Sequence, residues 1–318
     1  MKTVGLLMLS LLLLQNSVAQ RTEKIASVFW KIEAPSGKVS SYILGTFHVF
    51  GKEWFDKFPE IREKMKHAAL FFSESNGSGP DADPVTFYLD STLPAKKFET
   101  FFGASSPKTD SFFMASFNGP EKISDRINRS KNLMEQQLLL GYYCFPMMLQ
   151  YRDALLGRPF DTAELEYYMP LDNLVELYAD SLKLPMRPLD DPEYMKKKSA
   201  DEGIMEAEFV GIINQFIMLK TDGKSKEVET DRASYRLFDK GLFDFSLAYN
   251  QKREEIDWTT NVARNKRWAT IITEDLMTKN CFIAVGIGHL FLNKKYGLLD
   301  LLEKKGFKIT PVTLQMHH

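Results

Sequence analysis

The sequence predicts an α/β fold: a mixed central sheet formed from both chain ends, with a large helical insertion covering the rim at the strand ends. Two observations carry this. An apolar run breaks at Gly and lands on His three residues later near each end of the chain, in YILGTFH (Tyr42 to His48) and in FIAVGIGH (Phe282 to His289). Between them, residues 85–279 read as successive helices rich in Phe, Tyr and Met.

Taken in order, Ser27 to Ala34 and Val39 to His48 read as two strands around a Pro-Ser-Gly-Lys turn, a β-hairpin. Pro59 to His67 has helix chemistry, with Pro accepted in the first turn and Ile61, Met65 and Ala69 spaced i, i+4, i+8. ALFFSE follows as a short strand ending at Glu74, and SNGSGPDADP is a loop. Turn clusters at Gly103–Pro107, Gly119–Pro120, Gly157–Pro159 and Thr221–Gly223 divide the helical middle. Within it, DNLVELYADSLK reads as a helix, Leu184 to Asp191 as a strand edge, and Ile256 to Lys279 as the last long helix. CFIAVGIGH then reads as a buried strand ending in a turn, YGLLDLLEKKG as a helix stopped by Gly306, and FKITPV as a strand. Both ends thus share the order strand, Gly-x-x-His, helix, strand: a two-fold internal echo without a tandem repeat.

The first nineteen residues carry a Lys near the start, an apolar stretch from Val4 to Leu14 and the small-residue ending Ser17-Val18-Ala19. This is the pattern of a signal peptide cleaved after Ala19, so the expectation is an exported protein, periplasmic or secreted, with residues 20–318 as a single domain. The apolar stretch falls short of the roughly 20 residues a membrane-spanning helix needs, and no later segment qualifies as an integral membrane segment. Lys plus Arg (41) balances Asp plus Glu (42), which gives no bulk charge for nucleic acid. Cys144 and Cys281 can pair in an oxidising compartment or remain buried thiols. His67 falls on the exposed side of its helix, and His317 and His318 on a terminal tail.

In a parallel sheet, loops at the carboxyl ends of strands line the ligand crevice. His48 lies just past one strand, Glu74 at the end of the next, and His289 on an equivalent rim. If the first two strands are neighbours, ligand-type side chains meet there. Gly45, Gly286 and Gly288 would let the backbone turn sharply. Two imidazoles and a carboxylate leave an open position on a divalent metal, the arrangement that hydrolytic metal sites use. Without a metal, the same groups can act as general base and acid. A single His after a strand is ordinarily a loop or structural residue; two in matched contexts, with a carboxylate nearby, favour a site.

YILGTFHVFG, FFSES, ARNKRWA and FIAVGIGHLFLNKKYGLLDLLEKKGFKITPV together resemble the TraB/GumN family, over essentially the whole chain after the leader. That family includes the Tiki metalloproteases and belongs to a wider group with erythromycin esterases and haem-binding ChaN-like proteins. The resemblance implies two Gly-x-x-His motifs and an acidic residue, carried here by His48, His289 and Glu74. It implies a late-helix Arg-Asn pair at Arg264 and Asn265, with Trp268 one turn on, and peptidase activity supported by manganese or cobalt. Arg264 would bind a substrate carboxylate or a developing oxyanion, and Arg264 with Asn265 would orient the substrate or stabilise the tetrahedral intermediate. One departure stands out: where many members carry Leu-Glu-Thr, this chain has Leu189-Asp190-Asp191, for which capping of a helix starting near Pro192 is the simpler explanation. The expectation is an exported, peptidase-like hydrolase of a peptide or small-molecule substrate, dependent on a divalent metal (Mn, Co or Zn). The alternatives are a haem- or metal-binding protein without turnover, and a metal-independent esterase with His48 as base.

Overall fold

The computed structural model describes residues 25–74, 94–102, 106–117, 121–191, 204–246, 258–291 and 295–317. The expected signal peptide, the loop at 75–84, the Gly119–Pro120 turn and the helix expected near Pro192 lie outside the described residues.

From the amino end come β1 (Ile25–Ser27), β2 (Phe29–Glu33), β3 (Ser40–Thr46), α1 (Lys52–Lys57), α2 (Pro59–Met65) and β4 (Leu70–Ser73). The insertion holds α3 (Phe98–Phe102), α4 (Ser106–Phe117), α5 (Ile123–Asn128), α6 (Leu133–Leu156), α7 (Glu164–Tyr167), α8 (Leu171–Ser181), β5 (Met186–Pro188), α9 (Ile204–Thr221), α10 (Lys226–Asp239), β6 (Leu242–Asp244) and α11 (Trp258–Thr278). The chain closes with β7 (Cys281–Gly286), α12 (Ile287–Leu290), α13 (Leu298–Lys304) and β8 (Lys308–Pro311).

The main sheet runs β5-β4-β7-β3-β2-β8. β5, β4, β7 and β3 are parallel, and β2 is antiparallel to both β3 and β8. It is therefore a mixed sheet assembled from both chain ends, with one edge strand, β5, supplied by the otherwise largely helical insertion. Cys281 to Val285 are all buried although their side chains alternate between the two faces, so both faces of the sheet are covered at its centre. The β2–β3 hairpin forms as expected, and Gly306 ends α13 with φ +91, a left-handed value that favours Gly.

Other expectations change. β3 and β4 are not neighbours, because β7 inserts between them. The central position of a sheet suits the most continuously apolar strand, and β7 is that strand. The internal echo holds in element order only: β4 lands beside β7, whereas β8 crosses to the far edge beside β2. The middle region also supplies β6, which pairs with β1 in a separate two-stranded sheet. Both cysteines are buried and free. The C-terminal tail is docked, with the His317 amide donating to Lys57 O at 3.0 Å.

Gly45 and Gly286 serve close approach, not turning. None of Gly45, Gly286 and Gly288 has a positive φ. A Cβ on Gly45 would stand 2.4 Å from Ile287 Cδ1, 2.9 Å from Leu290 Cδ1 and 3.3 Å from the Ile287 Cα. α12 thus lies directly on β3, where a plain turn was expected after β7.

The insertion reaches the strand-end rim. α6 carries α9 and α10 against it, and it is bounded by an Asn132 side-chain cap at one end and Gly157 at φ +75 at the other. Tyr235 and Phe238 of α10 pack edge-on against Phe47, the first residue beyond β3, at 5.1 and 5.4 Å between ring centroids. Arg152, 2 % exposed, donates to Val49 O at 3.2 Å and pairs with Asp153 and Glu164.

Gly45→Ala is expected to cost about 1–3 kcal/mol, because the packed Ile287 and Leu290 side chains, and the α12 backbone at 3.3 Å, must give way. Gly288→Ala, whose Cβ would meet nothing within 4 Å, should stay within about 0.5 kcal/mol of the parent. Urea midpoints of the two variants check this.

Candidate functional site

Parallel register brings four strand ends to one rim. Thr46 of β3 lies opposite Gly286 of β7, Ala284 of β7 opposite Ser73 of β4, and Ser73 opposite Pro188 of β5. The residues that follow place, in order across the rim, Asp190, Glu74, His289 and His48. Backbone bonds continue past the strands, with Leu189 N donating to Ser73 O and Asp190 N to Glu74 O, both at 2.8 Å.

α11 delivers Arg264 into this row. Its Nη2 donates to Glu74 Oε2 at 2.7 Å and to Asp190 Oδ2 at 2.6 Å, its Nε to Asp190 Oδ1 at 3.2 Å, and its Nη1 faces His289 Nε2 at 3.1 Å. Trp268, one turn on, lies with its ring 4.6 Å from the guanidinium carbon and donates Nε1–H to Asp190 Oδ1 at 2.8 Å. Arg264 and Trp268 therefore share a helix face, as their spacing predicts. Both Asp190 oxygens are engaged by these two side chains.

Asn265 is fully buried and does not face a substrate. Its Nδ2 donates to the carbonyls of His289 and Tyr296, both at 2.9 Å. That fixes the amide so that Oδ1, 2.8 Å from His289 Nδ1, must accept. His289 therefore carries its proton on Nδ1 and turns the lone pair of Nε2 toward Arg264. Asn265 is a positioning residue for His289, a correction to its expected contact with substrate.

Burial alone would raise the Glu74 carboxyl. The His289 ring, the Arg264 guanidinium, the Gly286 amide that donates to Oε1, and His48 outweigh it and lower it to about 2. Burial lowers His289 to about 4, against the pull of Glu74 and with the help of the Arg264 charge. His289 is thus neutral at neutral pH. Burial works against the charge of Arg264, but Glu74 and Asp190 more than offset it and hold it protonated.

His48 is different. Its side chain is 68 % exposed and its Nδ1 pairs with Asp172 Oδ2. Thr46 Oγ1 donates to the other oxygen of Asp172, in the first turn of α8. Tyr168 OH donates to the His48 carbonyl. Asp172 is the residue that sequence reasoning missed: it heads a helix as an ordinary capping acid does, and it lies 124 positions from its partner. Arg152 is a second omission, and its signal was a charged pair inside an apolar helix.

The three predicted metal ligands do not meet as one set. His48 is turned to Asp172, and Arg264 bonds both Glu74 and His289 on the side where an ion would bind. Among the described residues, no group of three or more His, Cys, Asp and Glu side chains is arranged to hold a metal. As they stand, these residues do not fit a divalent ion.

Both titrating groups make the fold acid-sensitive. His289 binds its proton at about 4 in the fold against 6.5 ordinarily, so its contribution is complete above 6.5 and is lost as the pH falls toward 4. Glu74, at about 2 against 4.5, adds a second loss below 4.5. His289→Asn should flatten the first window and Glu74→Gln the second, in urea unfolding measured from pH 8 to pH 3. For function, Asp172→Asn should leave the urea midpoint within about 1 kcal/mol while changing the NMR tautomer signature of His48.

No curated protein and no solved structure matches the chain. The TraB/PrgY/gumN family model matches residues 140–311, more than half of the 318 residues. The match takes in Asp172, Asp190, Arg264, Asn265 and His289, which are the insertion's and the carboxyl end's share of the rim. The chain belongs to the TraB/PrgY/gumN family.

Proposed function

We propose that the chain is an exported hydrolase of acyl bonds, ester or amide, in a peptide or small-molecule substrate, with His48 as general base. The observation that supports this most is the pairing of an exposed imidazole with a carboxylate, His48 with Asp172, on the rim that also holds the buried Arg264 cluster. Nδ1 is committed to Asp172, so proton exchange with a substrate runs through Nε2. The export part rests on the composition of the first nineteen residues.

In this reading His48 Nε2 takes a proton from water as the water oxygen adds to the acyl carbon. The carbonyl electrons move onto oxygen, and collapse of the tetrahedral intermediate expels an alcohol or amine that takes the proton back from His48. Arg264 has four of its five N–H bonds committed to Asp190, Glu74 and His289. The remaining Nη1 proton is the donor assigned to the oxyanion.

A metal-dependent form of the same reading draws on one distance: Glu74 Oε2 and His289 Nε2 are 4.0 Å apart, somewhat beyond the roughly 3.4 Å that two tetrahedral ligands of one ion span. It requires Arg264 to withdraw, so no step is routed through an ion here.

The test is turnover of chromogenic esters and a fluorogenic peptide library by chelator-treated protein. His48→Ala should lower kcat/KM about 10²–10⁴-fold. Activity that ignores His48→Ala would sink the general-base assignment. Activity that returns only with added Mn or Co would favour the metal-dependent form.

A further inference from the structure

We infer that Arg264 is the resident cation of this site: its guanidinium takes up the donor atoms of Glu74, Asp190 and His289 and keeps a divalent ion from them. This concerns the occupant of the cluster and does not depend on the reaction the site performs.

Three donors of metal-ligand type converge on one group. Glu74 Oε2, Asp190 Oδ2 and His289 Nε2 lie 2.7, 2.6 and 3.1 Å from guanidinium nitrogens. His289 is oriented in the manner of a metal-bound imidazole, with Nδ1–H tied by Asn265 and Nε2 turned inward. Metal bonds to imidazole and carboxylate run about 2.0–2.2 Å. An ion bridging Glu74 Oε2 and His289 Nε2, 4.0 Å apart, would sit between them, in space that Nη1 and Nη2 already border.

The cage is shaped for a planar cation. Asp190 takes the guanidinium edge-on through Nε and Nη2, Trp268 covers it at 4.6 Å, and its side chain is only 13 % exposed. A spherical ion would make no use of the Trp268 face. Charge points the same way: two carboxylates already face one fixed positive charge, and a divalent ion would be pressed against that charge in a desolvated site.

The test titrates Co(II) into the untagged full chain, reading d–d absorption, with Zn(II) calorimetry in parallel. The protein with Arg264 intact should show no Co(II) signal that His289→Ala or Glu74→Gln removes. This difference also cancels any ion taken up by the terminal His317–His318 pair. Arg264→Ala should gain one equivalent of Co(II), bound more than about tenfold tighter than by the parent, and Arg264→Ala/His289→Ala should lose it again. If Arg264→Ala fails to fold by circular dichroism, Arg264→Met, which keeps an apolar stem against Trp268 without the charge, is read in its place. A His289-dependent ion in the parent overturns the inference, and so does a folded Arg264 variant that gains none.

Discussion

The desolvated guanidinium of Arg264 is the interaction on which this molecule's rim depends. A charge taken out of water is tolerated only where partners replace the lost hydration. Here the partners come from three separate strand ends: Asp190 after β5, Glu74 after β4 and His289 after β7. Arg264 itself arrives on α11, packed against α13. One side chain therefore ties the insertion's last helix to strands from both chain ends. Removing Arg264 would leave Glu74 and Asp190 without their cation, and stranding a buried charge ordinarily costs about 3–5 kcal/mol.

The two Gly-x-x-His motifs are alike in sequence and unlike in state. His289 sits at the centre of the sheet, beneath Trp268 at 4.4 Å between ring centroids, and is held neutral. His48 lies one strand further out, where the rim opens to solvent. The insertion shapes this outer half. Tyr168 and Arg152 hold the carbonyls of His48 and Val49, and the Phe47–Tyr235–Phe238 cluster pins the residue between strand and histidine. Asp172 then turns the ring. The rim therefore has two unlike halves: a buried one, fixed by ion pairs and hydrogen bonds, and an exposed one with a single oriented imidazole.

The strand-and-helix grammar was legible because it is local. Alternation and an intervening Pro-Ser-Gly-Lys turn give the β2–β3 hairpin. An unbroken apolar run gives β7, and Gly306 past an amphipathic run ends α13. The histidines and Glu74 were legible for the same reason, since each directly follows an apolar run. What these signals lack is order across the sheet. β7 entering between β3 and β4 is a long-range pairing, set by which strand can be buried on both faces, and it decides that Glu74 meets His289 instead of His48. The roles of the glycines were also out of reach, because the group that crowds Gly45 lies 242 positions away, at Ile287.

By itself, then, the amino-acid sequence determined the fold class, the family resemblance and the edge of the sheet on which the chemistry gathers, because apolar periodicity and turn chemistry act within a few residues. Only the tertiary structure decided what those residues do there. It turned Asn265 into a support for His289, and it brought in Asp172 and Asp190. It also set a guanidinium among the donors expected to bind a metal. Hydrogen bonds and charges in a desolvated site are matters of ångström geometry between distant segments, and no local pattern encodes them.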